Sequence, residues 1–213
     1  MADSDPVIAT TATFESWFQL PELDKTSAQS GSPLKAFKQC LQQGNQILGQ
    51  QFDNGAGAPV LVHARSWLID QVLTRTWARF MGTESRQAAL VAVGGYGRSE
   101  LMPGSDVDLL ILLPDDEGNR FDGQITELIT FLWDIGLEVG HSVRTIEDCI
   151  EQSLADVTVV TNLMEARLLA GSEQLFRRMQ KGIEPAEIWD SRKFFEVKSA
   201  EQRSRYKKYH DSA

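Results

Sequence analysis

The stretch from Val91 to Leu112, VAVGGYGRSELMPGSDVDLLIL, concentrates the residues whose types and spacing could do chemistry. An apolar run stops at Gly94-Gly95, and ten residues later Ser105 introduces Asp106-Val107-Asp108, which opens a second apolar run. On an extended backbone residues i and i+2 point to the same side, so Asp106 and Asp108 project together while Val107 turns into the core. Two carboxylates side by side repel unless a cation lies between them. Their hard oxygens suit Mg²⁺, which commonly also takes phosphate oxygens from a substrate. Gly94 and Gly95 place bare N–H groups where a phosphate could approach, and a helix over Tyr96–Leu101 would add a favourable dipole. Together these features describe metal-assisted nucleotidyl transfer, in which two ions clamp the attacking and leaving oxygens at phosphorus. Asp106 and Asp108 are the expected metal ligands and catalytic residues. A third carboxylate is expected from Glu138, on the next predicted strand, with Asp134 as the alternative. Arg98 is a candidate phosphate contact.

Neither half of the pattern is specific alone. An isolated Asp-x-Asp is usually a turn or a solvated face, and Gly-Gly after a strand is usually just a turn. The information is in their conjunction between two apolar runs. Other phosphate-binding patterns fail: Gly95-x-Gly97-x-x-Glu100 lacks the third glycine of a dinucleotide fold, and no Gly-Lys-Ser/Thr follows for a P-loop. His63, His141 and His210 show no metal-site spacing; only His141 stands close to the predicted strands.

The elements that must position these residues follow from periodicity. Residues 1–60 form a leader, polar and broken by Pro6, Pro21, Gly31 and Pro33 in its first part, with a short helical piece near Phe14–Leu20 and a helix near 34–51. A long amphipathic helix is expected over 60–81. Short branched runs bounded by Gly or Pro predict strands at 88–93, 107–113 and 137–143, with a helix from Ile125 to Leu132 between the last two. On the third strand Leu137, Val139 and His141 share one face, and Glu138, Gly140 and Ser142 the other. Everything beyond 145 reads as helical: Thr145 with Asp148 as a loose capping box, Asp156 capping a helix to Ala170, Ser172 and Gly182 bracketing another, and Pro185 opening a last charged helix. The core is thus assigned to 61–145 and a helical extension to 146–213.

The chain has 213 residues, a formal net charge of -9 and 42% hydrophobic residues, ordinary for a globular protein. Residues 190–213 hold seven Lys/Arg against four acids, a local +3 that leaves -12 on residues 1–189. That acidity disfavours a sequence-independent nucleic-acid binder. Cys40 and Cys149 are too far apart for a metal pair or a disulfide framework, which suits a reducing cytoplasm. No apolar run reaches membrane-spanning length, and no signal peptide is visible.

Gly94-Gly, the ten-residue spacer and Ser105-Asp-Val-Asp resemble the signature of the DNA polymerase beta-like nucleotidyltransferase superfamily. The fuller GGYGRSELMPGSDVDLLIL is similar to the N-terminal domain of the bacterial PII uridylyltransferase/uridylyl-removing enzymes. So are Ala64-Arg-Ser-Trp-Leu-Ile-Asp-Gln71, Leu132-Trp-Asp-Ile-Gly-Leu-Glu-Val-Gly-His-Ser-Val-Arg-Thr145 and Arg205-Tyr-Lys-Lys-Tyr-His-Asp211. The likeness runs from about residue 61 to the end. It implies an α/β (α+β) core with a small mixed sheet, a helical N-terminal region and a helical C-terminal extension. It also implies transfer of UMP from UTP to a tyrosine of the PII signal protein with Mg²⁺ or Mn²⁺, releasing pyrophosphate. Gly94 and Gly95 become triphosphate contacts and Ser105 a phosphate neighbour, with Asp106 and Asp108 the metal ligands. An adenylyltransferase or other transferase of the superfamily, or a non-catalytic nucleotide-binding module, are the alternatives. Ser99 stands where the family usually has glycine, and Gly104 where it often has a bulkier residue. Family members are several times longer, with a UMP-removing HD domain and two glutamine-sensing ACT domains, so the chain is expected to be a fragment.

Overall fold

The structure is a computed structural model, and it describes residues 11–18, 32–115, 119–184, 188–189 and 191–208. The expectations for Leu20, Pro185, His210 and Asp211 lie outside the described residues.

Helix α1 (Thr11–Trp17) precedes α2 (Pro33–Asp53) and α3 (Ala58–Met81). Both longer helices carry Pro in the first turn, where its missing N–H costs nothing. Strand β1 (Ala89–Ala92) runs into a four-residue helix, α4 (Gly94–Gly97), and β2 (Val107–Leu112) follows. Then come α5 (Asp122–Asp134), β3 (Val139–Arg144), α6 (Ile146–Ala155) and α7 (Val157–Met164), followed by β4 (Arg167–Gly171), α8 (Glu173–Gly182) and α9 (Ser191–Lys208).

The strands form one mixed sheet in the order β3-β2-β1-β4. β1 pairs antiparallel with β2 and with β4, and β2 pairs parallel with β3. Alternation along β1 and β2 sends the two faces to different cores. Leu90, Ala92, Val107, Leu109 and Ile111 pack against α2, α3 and α5. Ala89, Val91, Leu110 and Leu112 pack against Cys149 of α6, Leu163 of α7, and Phe176 and Met179 of α8. A third cluster seats Phe14 and Phe18 on Ala64 and Leu68 of α3, with Trp67 alongside. With both faces covered, β1 is apolar at every position, as a doubly buried strand must be.

Two expectations need correction. The helix drawn from Asp156 to Ala170 is α7 only as far as Met164; Arg167–Gly171 is the fourth strand. It extends the sheet on the free edge of β1, and Gly171, at φ +98°, sits so close to β1 that a Cβ would meet the Ala88 carbonyl. The helix expected over Tyr96–Leu101 lies earlier and is shorter, at Gly94–Gly97. Other local signals are met as read. Thr145 and Asp148 form a reciprocal capping box, and Asp156 accepts from Thr158 N at 2.7 Å. Ser172 caps α8.

Candidate active site

The carboxylates are placed by the start of β2. Val107 is 2% exposed and points into the core, so its neighbours Asp106 and Asp108 are turned outward. Asp108 is level with Gly140 in the parallel ladder, and the absence of a side chain there leaves the carboxylate room: a Cβ on Gly140 would lie 2.9 Å from Asp108 Oδ1. Gly94, at φ +60°, approaches from β1, and a Cβ on it would lie 3.7 Å from Asp108 Oδ2. The glycine turn and the carboxylate therefore bound one end of the same cleft. Partial withdrawal from water pushes the Asp108 carboxyl above its ordinary value, and the charge of Asp106 adds to the shift. A cation would relieve both, so the pair fits a divalent ion with further ligands from water and substrate.

The cleft has a volume of ≈ 400 Å³, within the range of small-ligand sites. Gly94, Gly95 and Asp108 form one part of its lining, with Ser142, Arg144 and Asn162 elsewhere along it. Of these, Arg144 and Asn162 carry no expectation from the sequence. Arg144 had a signal, because it continues the Glu138, Gly140, Ser142 alternation by one step. Asn162, a single polar residue on a short helix, had none.

Of the other expected residues His141 lines the cleft, and the rest sit around this centre rather than in it. Ser105 is exposed and donates its N–H to the Met102 carbonyl at 3.1 Å. Glu138 is exposed just before β3, its carbonyl accepting from Val107 N at 2.8 Å, which sets it beside Asp106. Asp134 is exposed at the end of α5. Among the described residues, no three His, Cys, Asp or Glu side chains come together closely enough to hold a metal. Arg98 pairs with Glu100 at 2.9 Å and with Glu165 at 2.5 Å. His141 sets its ring edge-on to Trp133, centroids 6.1 Å apart.

A support the sequence did not reveal holds the loop between the glycines and the aspartates. Three polar side chains on one face of α3, at i, i+3 and i+7, grip it in succession. His63 Nδ1–H donates to the Ser99 carbonyl at 2.8 Å. Ser66 Oγ accepts from Leu101 N at 3.0 Å, and Asp70 Oδ1 accepts from the Tyr96 hydroxyl at 2.6 Å. Arg167 of β4 closes the network, donating to both Asp70 oxygens at 2.7 and 3.0 Å and to the Gly97 carbonyl at 3.3 Å. Its guanidinium also lies over the Tyr96 ring, 5.5 Å from the centroid. Gly97 allows α4 to touch the end of α7, since a Cβ there would overlap the Glu165 carbonyl. Ser99 holds φ +62°, the left-handed conformation for which glycine is the ordinary choice.

Comparison with known proteins decides what this arrangement is. The nucleotidyltransferase domain model matches residues 75–170, a span holding the glycine turn, both aspartates and all of the sheet but Gly171. Residues 75–170 are thus similar to nucleotidyltransferase domains. The chain is 46% identical over 185 residues to the bifunctional uridylyltransferase/uridylyl-removing enzymes of Pseudomonas putida (strain W619) and Pseudomonas fluorescens (strain SBW25). It is 44% identical to that of Pseudomonas syringae pv. syringae (strain B728a). Each alignment covers 87% of this chain and 21% of the relative. The chain thus spans about a fifth of the length of the curated relatives it matches. The fold bears out the expected polymerase beta-like core: a small mixed sheet carrying the nucleotidyltransferase signature, between helices on both faces. Among the described residues no helix is long and apolar enough to cross a membrane.

Proposed function

We propose that this nucleotidyltransferase domain transfers UMP from UTP to a tyrosine hydroxyl of the PII signal protein, releasing pyrophosphate. The observation that carries the reading is the placement of Asp108 and Gly94 at one end of one cleft, with the charge of Asp106 acting on Asp108 from beside it. The uridylyltransferase names of the relatives support the choice of nucleotide.

Asp106 and Asp108 would hold Mg²⁺ or Mn²⁺; Glu138, whose backbone joins β2 next to Asp106, is proposed as the third carboxylate in preference to Asp134 and would have to turn toward the pair to join it. The metal, when bound, supplies positive charge against the phosphates. Gly94 and Gly95 hold the triphosphate through backbone N–H groups, with Ser105 close by. The acceptor oxygen forms a bond to the α-phosphorus as the bond to the β-phosphate oxygen breaks. The phenolic proton passes toward a carboxylate, and pyrophosphate leaves. Arg98 has a supporting part: engaged by Glu100 and Glu165, it braces the glycine turn. Both cysteines are free, in keeping with a reducing cytoplasm.

The test is incorporation of label from α-labelled UTP into PII, with ATP, CTP and GTP in parallel. Replacing Asp106 and Asp108 with Ala abolishes transfer if the reading holds. Transfer that survives the double replacement refutes the site. Transfer from ATP in preference to UTP refutes the choice of base.

A further inference from the structure

We propose that the part of the cleft beyond Asp108 is a nucleoside subsite for uracil, walled by Val159 and Leu163 and read by Asn162 and Arg144. The inference rests on the UTP reading above and adds where, and by what, the base is held.

The proposed phosphate end of the cleft is that of Gly94, which adjoins Asp108, and Gly95, which lines the cleft with it. From Gly140, level with Asp108, β3 runs on through Ser142 to Arg144, and both line the cleft. At roughly 3.3 Å per residue Arg144 lies about 13 Å farther along the strand. That is room for a ribose and one ring once the α-phosphorus is beside Asp108. Helix α7 forms the opposite wall with Val159, Asn162 and Leu163, at i, i+3 and i+4 on one helical face. Val159 and Leu163, with Leu110 of β2, offer apolar surface to the faces of a ring, while Asn162, Ser142 and Arg144 offer polar groups to its edges.

The polar groups select among bases by donor and acceptor count. Uracil presents a ring N–H between two carbonyls. A carboxamide matches it twice, its C=O accepting from the N–H and its NH₂ donating to a carbonyl. Arg144 has donors only, so it favours carbonyls and opposes the amino group that cytosine puts in place of one of them. Among the described residues the Arg144 guanidinium forms no ion pair or hydrogen bond, although its charge is felt at Asp148. Arg98, by contrast, is committed to Glu100 and Glu165. Asn162 is exposed, so it can be changed without opening the core.

The experiment is calorimetric titration of the 213-residue chain with UTP, CTP and inorganic tripolyphosphate, each with Mg²⁺. Asn162→Ala and Asn162→Trp should each weaken UTP about tenfold or more and leave tripolyphosphate unchanged. Arg144→Met should bring UTP and CTP, separated by about tenfold in the parent chain, to near parity, again without moving tripolyphosphate. Unchanged UTP binding by Asn162→Trp overturns the subsite. A loss of tripolyphosphate in step with UTP also overturns it, by assigning this end of the cleft to phosphate. If the unmutated chain binds neither UTP nor tripolyphosphate, the nucleotidyl-transfer reading fails and the subsite falls with it.

Discussion

Asp108 and Gly140 lie level across β2 and β3, so close that a methyl group on Gly140 would sit 2.9 Å from Asp108 Oδ1. The carboxylate cannot keep its position if the glycine acquires a side chain. Gly140→Ala is therefore expected to lower nucleotidyl transfer about tenfold to a hundredfold by displacing a reacting group. Gly140 lies at the edge of the cleft, not in a core, so the unfolding free energy should change by less than about 1 kcal/mol. Pyrophosphate release and thermal denaturation of the same preparation separate the two effects.

The Asp70–Arg167 pair joins α3 to β4 beneath the glycine turn with two hydrogen bonds, at 2.7 and 3.0 Å. Removing the carboxylate in Asp70→Ala leaves a half-buried guanidinium and a buried phenol short of their acceptor. The expected cost is about 2–3 kcal/mol, from hydrogen bonds to a charged group, and denaturant unfolding measures it.

Tyr96 reports on the same network through pH. Burial, chiefly, and the adjacent Asp70 charge raise its hydroxyl well above the ordinary 10.0. The folded state holds the phenolic proton more tightly than the unfolded state, so this stabilisation is complete below the ordinary value. It is lost as pH rises from there through the raised folded value. Tyr96→Phe should cost about 1 kcal/mol near neutrality and should remove that part of the alkaline destabilisation. A urea midpoint that falls equally steeply above pH 10.0 in both proteins contradicts the assignment.

Ser99 holds a left-handed backbone, φ +62°, a conformation that glycine adopts without steric cost. Relief of the strain and the added freedom of the unfolded chain nearly offset one another in Ser99→Gly. That variant should range from unchanged to about 1 kcal/mol more stable. Ser99→Val, branched at Cβ, should lose more than about 1 kcal/mol. Melting temperatures of the three proteins give the order.

At the start of α6, Thr145 and Asp148 satisfy each other's backbone N–H groups, at 2.9 and 3.1 Å. Thr145→Ala should cost about 1 kcal/mol. The hydrogen bonds from Thr145 hold the Asp148 carboxyl below its ordinary value of 3.8. Its contribution is therefore present above the ordinary value and is lost as pH falls through the lower folded value. The acid limb of the stability curve should flatten in Asp148→Asn.

How much the sequence tells depends on whether the signal is local. β1 and β2 are apolar runs stopped by glycine or proline, and the pairing of Asp106 with Asp108 needs only the two-residue period of a strand. The caps at Thr145, Asp156 and Ser172 are short-range too. β4 was hidden because Ala166–Ala170 continues the apolar texture of α7 without a breaker; its strand character comes from pairing with β1, far away in sequence. Arg98 and Arg167 show the same limit. Nothing nearby reveals that Glu165 engages one or that Asp70 engages the other. Asn162 reaches the cleft only because α7 crosses the sheet beside the glycine turn. No pattern within α7 marks it.

The pairing of β1 with β4 sets an order of events in folding. Ala89 lies beside Gly171, and Asp70 meets Arg167 across a separation of 97 residues. Closing so long a loop is slow compared with forming helices. The strand bearing Asp108 can pair with β1 early, since only residues 93–106 lie between them. The clamp under the glycine turn must wait for Arg167. During synthesis the loop between the glycine turn and the aspartates can be gripped early by His63, Ser66 and Asp70 of α3, but the Arg167 brace is added only after α7 and β4 have left the ribosome, and a nascent chain stopped before residue 167 would have its aspartates without it.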